Sequence, residues 1–422
     1  MTDADRYIED LARFIAASPS SYHAAAEAGR LLEAAGFTRL DESAAWPSKA
    51  GKRFVIRDGA IVAWVQPAGA TATTPFRILG AHTDSPGFKL KPNGGSSNQG
   101  WKQASVEVYG GPLLNSWLDR ELEFAGRLVT RDGREHLTRT GPFARIPQLA
   151  IHLDRGVNDG LKLDKQQHVQ PVYGVDTDGG DILQVLADAA GVKLAQVAGF
   201  DILTADSNPP ARFGAGERLF AAGRLDNLSS VFAGLHALIN AKPVKGHVSM
   251  LAAFDHEELG SNSRSGASGP MLNDILARIG SGLKGGAEDR RRAYAESWCV
   301  SADAGHAVHP NYAERHDPNN RPVAGGGTLL KLNANQKYAS DAHGSALWSR
   351  LSDAAGASVQ PFVSNNTMPC GSTIGPLTAT RLGIRVVDVG VPLLSMHSAR
   401  ELAHVDDLWA LARTTGAFFA GR

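Results

Sequence analysis

The chain has 422 residues, of which 43% are hydrophobic and 20% are charged, so it can bury a large core and is expected to form two domains. Lysine plus arginine number 43, and aspartate plus glutamate also number 43, which leaves a formal net charge of zero. No global positive field is therefore present to hold nucleic acid or an anionic membrane surface, and we expect neither as a partner.

The two cysteines, Cys299 and Cys370, are far apart in the sequence and form no CxxC pair. We expect no disulfide framework and no thiolate zinc site, and both thiols fit a reduced, cytoplasmic protein. Near the N-terminus, apolar residues recur at helical spacing from Tyr7 to Ile15, which is typical of an amphipathic helix and not of a signal peptide. No apolar run approaches the roughly 18 residues of a membrane span.

Residues 1–90 predict two helices followed by strands. The stretch RFVIRDGAIVAWVQP (53–67) carries Asp58-Gly59 between two apolar runs, which is a strong signal for a β-hairpin. FRILGA (76–81) is typical of a buried strand.

Residues 94–215 differ from the preceding residues in their sequence pattern, and they predict a β-rich insert. NGGSSNQGW (93–101) is typical of a loop or linker. Short strand patterns and one helix, GDILQVLADAAG, follow; the strand patterns are QASVEVYGG, EFAGRLVTRDG, IPQLAIHLDR and HVQPVYG. We expect a lid or interaction domain at 94–215, inserted between two parts of a catalytic domain at 1–93 and 216–422.

After residue 220, strands and helices alternate. Strand patterns occur in HVSMLAAF, SWCVSA and IRVVDVG, and helical patterns occur in LDNLSSVFAGLHALINA, GSALWSRLSDAAG and VDDLWALARTTGAFFAG. This alternation predicts an α/β fold in which a mostly parallel sheet is sandwiched by helices.

Histidines and carboxylates follow four of the strand patterns. They are His82 and Asp84 after FRILGA, Asp255, His256, Glu257 and Glu258 after HVSMLAAF, Asp303 and His306 after SWCVSA, and His397 beyond IRVVDVG, with Asp226 opening a helix. In open α/β sheets ligands bind beyond the carboxyl ends of the strands, so these clusters are expected to meet in one crevice. A single His-x-Asp can simply end a strand, but chance does not readily explain four such clusters.

The residue types point to two metal ions bound without thiolates. Nitrogen and oxygen ligands suit Zn²⁺, with Mn²⁺ or Co²⁺ as substitutes. Two ions about 3.5–4 Å apart need a carboxylate between them, and each then takes a histidine and a further carboxylate. That stoichiometry is supplied by His82, Asp226, Glu258, Asp303 and His397. Glu257 is left beside them as the candidate general base, and Asp84 can hold the far nitrogen of the His82 ring.

In combination these motifs resemble the aspartyl aminopeptidases, dinuclear zinc exopeptidases related to vacuolar aminopeptidase I. The resemblance covers nearly the whole chain and rests on GAHTDSPGFKLKP, GRLDNL, DHEELGS, SADAGHAVHPNY, KLNANQKYAS, PCGSTIGP and GVPLLSMHSARE. It implies a zinc exopeptidase-like α/β fold with an inserted dimerisation domain, two zinc ions per chain, and dimers that assemble into a tetrahedral dodecamer.

The resemblance also implies a role for each matching residue. The implied ligands are His82 and Asp303 for one zinc ion, Glu258 and His397 for the other, and Asp226 as the bridge, with a cis peptide bond to Asn227. Glu257 would be the general base, and Asp84 would support His82. His306 would contact the substrate or the developing oxyanion, while Lys331 and Tyr338 would lie near the substrate pocket. His152 of the inserted domain would enter a neighbour's active site.

We therefore expect a cytoplasmic metalloaminopeptidase that hydrolyses N-terminal residues of peptides, with aspartate and glutamate preferred. Glu257 would take the proton of the attacking water and return it to the leaving amine. The residues leave other activities open: a broad-specificity or neutral-residue aminopeptidase, a deacylase or carboxypeptidase on the same metal scaffold, or a catalytically silent assembly protein. The presence of Glu257 argues against the last of these, because a silent relative has no use for a base.

Overall fold

A computed structural model describes residues 2–422. Nine α-helices occur in this part of the chain: α1 (Asp3–Ala17), α2 (Ser21–Ala34), α3 (Ile182–Ala189), α4 (Leu225–Asn240), α5 (Met271–Gly282), α6 (Ala287–Ala295), α7 (Ala342–Ala355), α8 (Ile374–Leu382) and α9 (Val405–Phe419). None of these helices in residues 2–422 is both long enough and apolar enough to cross a membrane.

The strands of the described residues number 21. In chain order they are β1 (Thr38–Arg39), β2 (Gly51–Arg57), β3 (Ala60–Gln66), β4 (Phe76–His82), β5 (Gly87–Asn98), β6 (Trp101–Tyr109), β7 (Glu121–Thr130), β8 (Glu135–Arg139), β9 (Ala144–Arg145), β10 (Val172–Val175), β11 (Val197–Asp206), β12 (Ala211–Phe213), β13 (Leu219–Ala222), β14 (Val248–Phe254), β15 (Trp298–Ala302), β16 (Gly305–His306), β17 (Thr328–Lys331), β18 (Val359–Phe362), β19 (Arg385–Gly390), β20 (Pro392–Leu393) and β21 (Glu401–His404). The predicted hairpin at Asp58-Gly59 is confirmed, because β2 and β3 pair antiparallel on either side of it.

The main sheet has nine strands in the order β1-β2-β3-β14-β4-β15-β19-β17-β18, and most neighbouring pairs are parallel. Helices α1, α2, α4, α7 and α9 cover one face, and α5, α6 and α8 cover the other. Side chains alternate between the two cores, since Leu79 of β4 packs with the first group and Ile78 with the second. The predicted α/β fold with a mostly parallel sheet between helices is confirmed.

The second sheet has seven strands in the order β11-β5-β6-β10-β9-β7-β8, and β11 also pairs with β7, so the sheet closes on itself. Phe88 and Phe124 are buried inside it, and α3 packs against the same core. A separate hydrophobic core is what an inserted domain requires. We retain the division into 1–93 with 216–422 and 94–215 as a proposal, although β5 runs across the first boundary.

The loop predicted for NGGSSNQGW (93–101) is wrong. Most of this stretch is the end of β5, which pairs antiparallel with β6, and only Gln99 and Gly100 form the tip of the hairpin. Both tip residues have a positive φ. Backbone hydrogen bonds to β6 override the low strand propensity of glycine, serine and asparagine, since strand propensity depends strongly on context.

The strand predicted for IPQLAIHLDR (146–155) is also wrong. Ile146 makes one isolated bridge to Leu118, and the chain then forms bends and turns. Leu149 is 60% exposed and Leu153 is 74% exposed, so these apolar side chains do not face a core of their own chain. The apolar run lacks a neighbouring strand to pair with, and an apolar pattern alone cannot replace that partner.

Candidate metal centre

The candidate site lies where four adjacent strands end. β14, β4, β15 and β19 are neighbours in the main sheet and run parallel, so their carboxyl ends lie side by side. The candidate ligands are His82 at the end of β4, Glu258 after β14, Asp303 after β15, His397 beyond β20, and Asp226 as the second residue of α4. The fold therefore gathers all five at one edge of the sheet, as expected for a parallel α/β sheet.

The backbone beside these residues has an unusual conformation. Arg224, His256 and His397 have φ values of 62°, 65° and 66°, in the left-handed region that residues other than glycine seldom adopt. Such residues cost about 1–3 kcal/mol each and persist where the surroundings hold them, often at functional sites. Gly390 at the end of β19 serves a close approach, because a Cβ atom there would lie 1.9 Å from the carbonyl oxygen of Asp303.

Asp226 lies between two histidines. Its Oδ1 is 3.3 Å from Nε2 of His82, and its Oδ2 is 3.4 Å from Nε2 of His397. Each histidine also faces a second carboxylate, with Asp303 Oδ1 3.4 Å from His82 and Glu258 Oε2 3.4 Å from His397. The result is two groups of one imidazole and two carboxylates that share Asp226. The peptide bond between Asp226 and Asn227 is cis.

Two buried carboxylate oxygens of this cluster have no hydrogen-bond donor within residues 2–422. They are Oδ1 of Asp226 and Oε1 of Glu258. Ligand atoms of His82, Asp226 and Glu258 lie within 4.8 Å of one another. Buried charges are normally paired or bound to a metal, and imidazole and carboxylate groups are common zinc ligands. The donor set and the unsatisfied oxygens therefore fit a metal site.

The electrostatics of the cluster favour positive charge. Burial works to lower the pKa of His82, but the facing carboxylates, Asp226 first, raise it well above its usual value. The same balance raises the pKa of His397 to about 10. Burial raises the pKa of Glu258, whereas the two imidazoles overcome burial and lower the pKa of Asp226. A divalent cation would supply the positive charge that protonated imidazoles otherwise provide, leaving the neutral rings that a metal needs.

Comparison with known proteins identifies the family. Residues 14–419 match the family model described as "Aminopeptidase I zinc metalloprotease (M18)". The chain belongs to the M18 aminopeptidase family. It is 51% identical over 422 residues to a "Probable M18 family aminopeptidase 2" of Streptomyces avermitilis, and the match covers 98% of each chain. A "Probable aspartyl aminopeptidase" of Ricinus communis is 38% identical, with 97% of this chain and 94% of the relative covered.

Solved structures agree with the family assignment. The crystal structure of yeast aminopeptidase 1 superposes with a TM-score of 0.87 at 28% identity, covering 99% of this chain and 97% of the yeast chain. The structure of the S. cerevisiae mApe1 dodecamer superposes with a TM-score of 0.85 at 28% identity, and the match covers 98% of this chain and 96% of the yeast chain. The predicted resemblance and the predicted zinc aminopeptidase class are both confirmed.

In this M18 aminopeptidase, backbone carbonyls orient both histidine rings. Nδ1 of His82 lies 3.0 Å from the carbonyl oxygen of Asp84, and Nδ1 of His397 lies 3.0 Å from that of Gly111. An N–H donated from Nδ1 leaves the lone pair of Nε2 in each ring able to bind a metal. The carboxylate of Asp84 is farther from His82, at 3.5 Å.

The Asp84 carboxylate supports the neighbouring glutamates. It accepts hydrogen bonds from the backbone N–H groups of Glu257 at 3.0 Å and Glu258 at 3.2 Å. The hydroxyl of Tyr109 donates a third hydrogen bond at 2.9 Å. Asp84 thus joins the end of β4 to the turn after β14.

Glu257 lies beside the cluster, on the wall of a cleft of about 600 Å³ that also contains Asp226, Glu258 and His397. Its side chain is half-buried. Burial, together with the charges of Asp303 and Asp226, raises the pKa of Glu257 to about 7. A carboxylate at this place can exchange a proton with a molecule held in the cleft.

His306, Lys331 and Tyr338 line the same cleft. Nζ of Lys331 donates to the carbonyl oxygen of Ala304 at 2.6 Å and lies 3.3 Å from Oδ2 of Asp303. It is also 5.3 Å from the centre of the Tyr338 ring, within cation–π range. The surrounding protein and the charge of Lys331 lower the pKa of His306. An ammonium has three N–H donors, and two of those of Lys331 have oxygen partners within the protein.

His152 is placed differently from the other candidates. It is exposed in the turn after residue 150 and is not among the described residues that line the cleft of its own chain. The neighbouring apolar residues Ile151 and Leu153 are 45% and 74% exposed. The cluster within one chain therefore forms without His152.

Glu401 and Tyr109 support the site but were not predicted from the sequence. Glu401 is buried and accepts hydrogen bonds from the backbone N–H groups of Asp226 and His397. One signal was present, because Glu401 follows His397 by four residues in the quoted motif MHSARE. Tyr109 gives no such signal, since it lies in the β-rich insert and meets Asp84 only through the fold.

Proposed function

We propose that this chain is a two-metal aminopeptidase that removes N-terminal residues from peptides and prefers aspartate and glutamate. The observation that carries the proposal is the position of Asp226, whose two oxygens face two different imidazoles at 3.3 and 3.4 Å. A carboxylate in that position can bridge two cations. The proposed holders are His82 and Asp303 for one cation, His397 and Glu258 for the other, and Asp226 for both.

The proposed cofactor is two zinc ions per chain, with Mn²⁺ or Co²⁺ as substitutes. When bound, the cations polarise the scissile carbonyl and lower the pKa of a water molecule toward about 7. Glu257 accepts the proton of the attacking water and then donates it to the leaving amine. Glu257 can do so because the hydrogen bond from its backbone to Asp84 holds it at the cleft wall, outside the two ligand groups.

His306 and His152 are assigned to the substrate's carbonyl oxygen. His306 lines the cleft and, as a neutral imidazole, can donate one hydrogen bond to that oxygen as negative charge develops on it. His152 is exposed in a turn with apolar neighbours, which suits insertion into the cleft of an adjacent subunit. Asp84 supports the metal centre through the backbone of Glu257 and Glu258 and through the ring of His82.

Lys331 and Tyr338 are assigned to the substrate side chain. Lys331 is the one lysine or arginine among the described residues lining the cleft, and its third N–H donor is proposed to meet the substrate side chain. A charge-assisted hydrogen bond to an aspartate or glutamate side chain would favour acidic substrates by about 1.5–3 kcal/mol. The name of the Ricinus communis relative supports the same preference, although the Streptomyces relatives carry the general family name.

We further propose a homo-oligomer built from dimers, with 94–215 as the dimerisation domain and a tetrahedral dodecamer as the complete assembly. Support comes from the dodecamer of the S. cerevisiae protein and from the exposed apolar residues Leu149, Ile151 and Leu153. We place the protein in the cytoplasm, because Cys299 and Cys370 are both free thiols, as is usual for proteins of that compartment. Peptides are the expected substrates, and nucleic acid and membranes are not expected partners.

A substrate panel tests the proposed function. Purified protein loaded with Zn²⁺, Mn²⁺ or Co²⁺ is assayed with Asp-, Glu-, Leu- and Ala-aminoacyl amides, N-acyl amino acids and peptides blocked at the α-amine. We expect cleavage of unblocked substrates with the highest kcat/KM for Asp and Glu. Equal kcat/KM for all four amides would replace the acidic preference by a broad or neutral specificity. Cleavage of N-acyl amino acids or of carboxy-terminal residues alone would contradict aminopeptidase activity on this scaffold.

A further inference from the structure

We propose that Glu401 is a positioning residue that holds two ligands of the metal centre, Asp226 and His397, in their binding geometry. Its carboxylate accepts one hydrogen bond at each oxygen, from the backbone N–H of Asp226 at 3.0 Å and from that of His397 at 2.7 Å. Glu401 is 2% exposed, so water does not compete for these bonds. The inference rests on the proposed role of Asp226 and His397 as ligands.

Glu401 lies at the junction of the two segments that carry these ligands. In the sheet of β12, β13 and β21, Glu401 pairs with Ala222 at the end of β13, four residues before Asp226. On its other side, Leu402 bridges to Leu394, three residues before His397. Asp226 and His397 therefore lie in short unpaired segments next to paired strands, and the side chain of Glu401 connects the two segments.

The backbone of these two unpaired segments also has an unusual conformation that neighbouring contacts must stabilise. Arg224, two residues before Asp226, and His397 itself both have a left-handed backbone conformation. The first turn of α4 departs from helical geometry at Asp226, where φ is −81° and ψ is 101°. Segments in sparsely populated conformations persist when neighbouring contacts hold them. The side chain of Glu401 provides one hydrogen bond to each of the two segments.

The substitution Glu401→Gln tests this role with little change in volume. A glutamine amide has one oxygen and one NH₂ group, so it can accept from only one of the two backbone N–H groups and presents a donor to the other. Loss of an outer partner of metal ligands typically weakens metal binding about 10–100-fold. We expect zinc affinity, measured by competition with a chromophoric chelator, to fall by about that factor, and the visible spectrum of the Co²⁺ form to change.

Asp407 provides a matched control. Like Glu401, it is a buried carboxylate that accepts two backbone hydrogen bonds, from Gly325 and Gly327, each at 2.7 Å. It binds loop backbone that carries none of the proposed ligands. Asp407→Asn should therefore lower thermal stability while zinc affinity and the Co²⁺ spectrum stay as in the parent protein. An equal loss of zinc affinity in both variants would overturn the proposal, because the effect would then be a general loss of stability.

Further variants separate this proposal from the ligand assignment. Glu401→Asp keeps the charge but is one methylene shorter, so it can reach one N–H group only, and it serves if Glu401→Gln fails to fold. If Asp226→Ala and His397→Ala lose zinc while both Glu401 variants bind it like the parent, Glu401 has no positioning role and the ligand assignment stands. If Asp226→Ala and His397→Ala also keep full zinc affinity, the ligand assignment and the role of Glu401 both fall.

Discussion

Removal of the Asp226 carboxylate is the most informative single change to the metal centre. Its two oxygens face His82 and His397 at 3.3 and 3.4 Å, so Asp226→Ala takes one ligand from each proposed cation position. Glu258→Ala takes a ligand from one proposed position only, because Glu258 is assigned to the cation held by His397, whose Nε2 lies 3.4 Å from Oε2 of Glu258. We therefore expect Asp226→Ala to lose both ions and Glu258→Ala to lose one.

The charge lost at each position sets the size of the effect. Opposite unit charges about 4 Å apart attract by roughly 4 kcal/mol at an effective dielectric constant of about 20, and the second charge of a divalent cation raises this value. About 1.4 kcal/mol corresponds to a factor of ten in a binding constant, so we expect binding to weaken by roughly a thousandfold or more. Asp226→Ala imposes this loss at both positions, and Glu258→Ala imposes it directly at one.

Elemental analysis after exhaustive dialysis at a fixed free Zn²⁺ concentration measures the effect. The parent protein and Asp407→Asn serve as references, and circular dichroism confirms that each variant is folded. We expect about two ions per chain in the references, about one in Glu258→Ala and close to none in Asp226→Ala, following the ligand counts of catalytic zinc sites. Two retained ions per chain in folded Asp226→Ala would refute its bridging position.

Three other substitutions probe separate steps. Glu257→Gln should keep both metals yet lower kcat by about 10²–10⁴ because an amide cannot accept the proton of water; a variant above one tenth of the parent kcat would contradict this role. Lys331→Met should reduce the Asp-over-Leu ratio of kcat/KM by about 10–150-fold, corresponding to a lost charge-assisted hydrogen bond; an unchanged ratio would remove Lys331 from specificity. His152→Phe should lower kcat in chains that still bind metal, and mixing with excess Glu257→Gln should restore some activity; inactive mixed assemblies, verified by mass, would exclude sharing between subunits.

The ligand candidates could be found in the sequence because each follows a local signal. His82, Glu258 and Asp303 come directly or almost directly after apolar runs, and these runs are β4, β14 and β15 of the main sheet. Because the carboxyl ends of neighbouring parallel strands lie side by side, recognising these strands and a parallel sheet is enough to predict that the three residues lie at one edge of the sheet. The IPQLAIHLDR segment carries a similar apolar run but has no neighbouring strand to pair with, and strand formation depends on that neighbour.

The residues that hold the backbone of the candidate ligands show why the rest of the site could not be predicted from the sequence. His82 and Asp303 lie at the ends of strands whose backbone is already held by neighbours on both sides. The other candidate ligands lie on turns and on an irregular helix start, where no ladder of backbone hydrogen bonds holds them. Two buried carboxylates provide this support: Asp84 accepts from Glu257 and Glu258, and Glu401 accepts from Asp226 and His397. Each carboxylate joins segments that are far apart in the chain, so its role depends on the completed fold and leaves little trace in local spacing. Substitutions at these two positions should therefore affect metal binding through the backbone of the ligands, whereas substitutions of the ligands themselves remove the donor atoms.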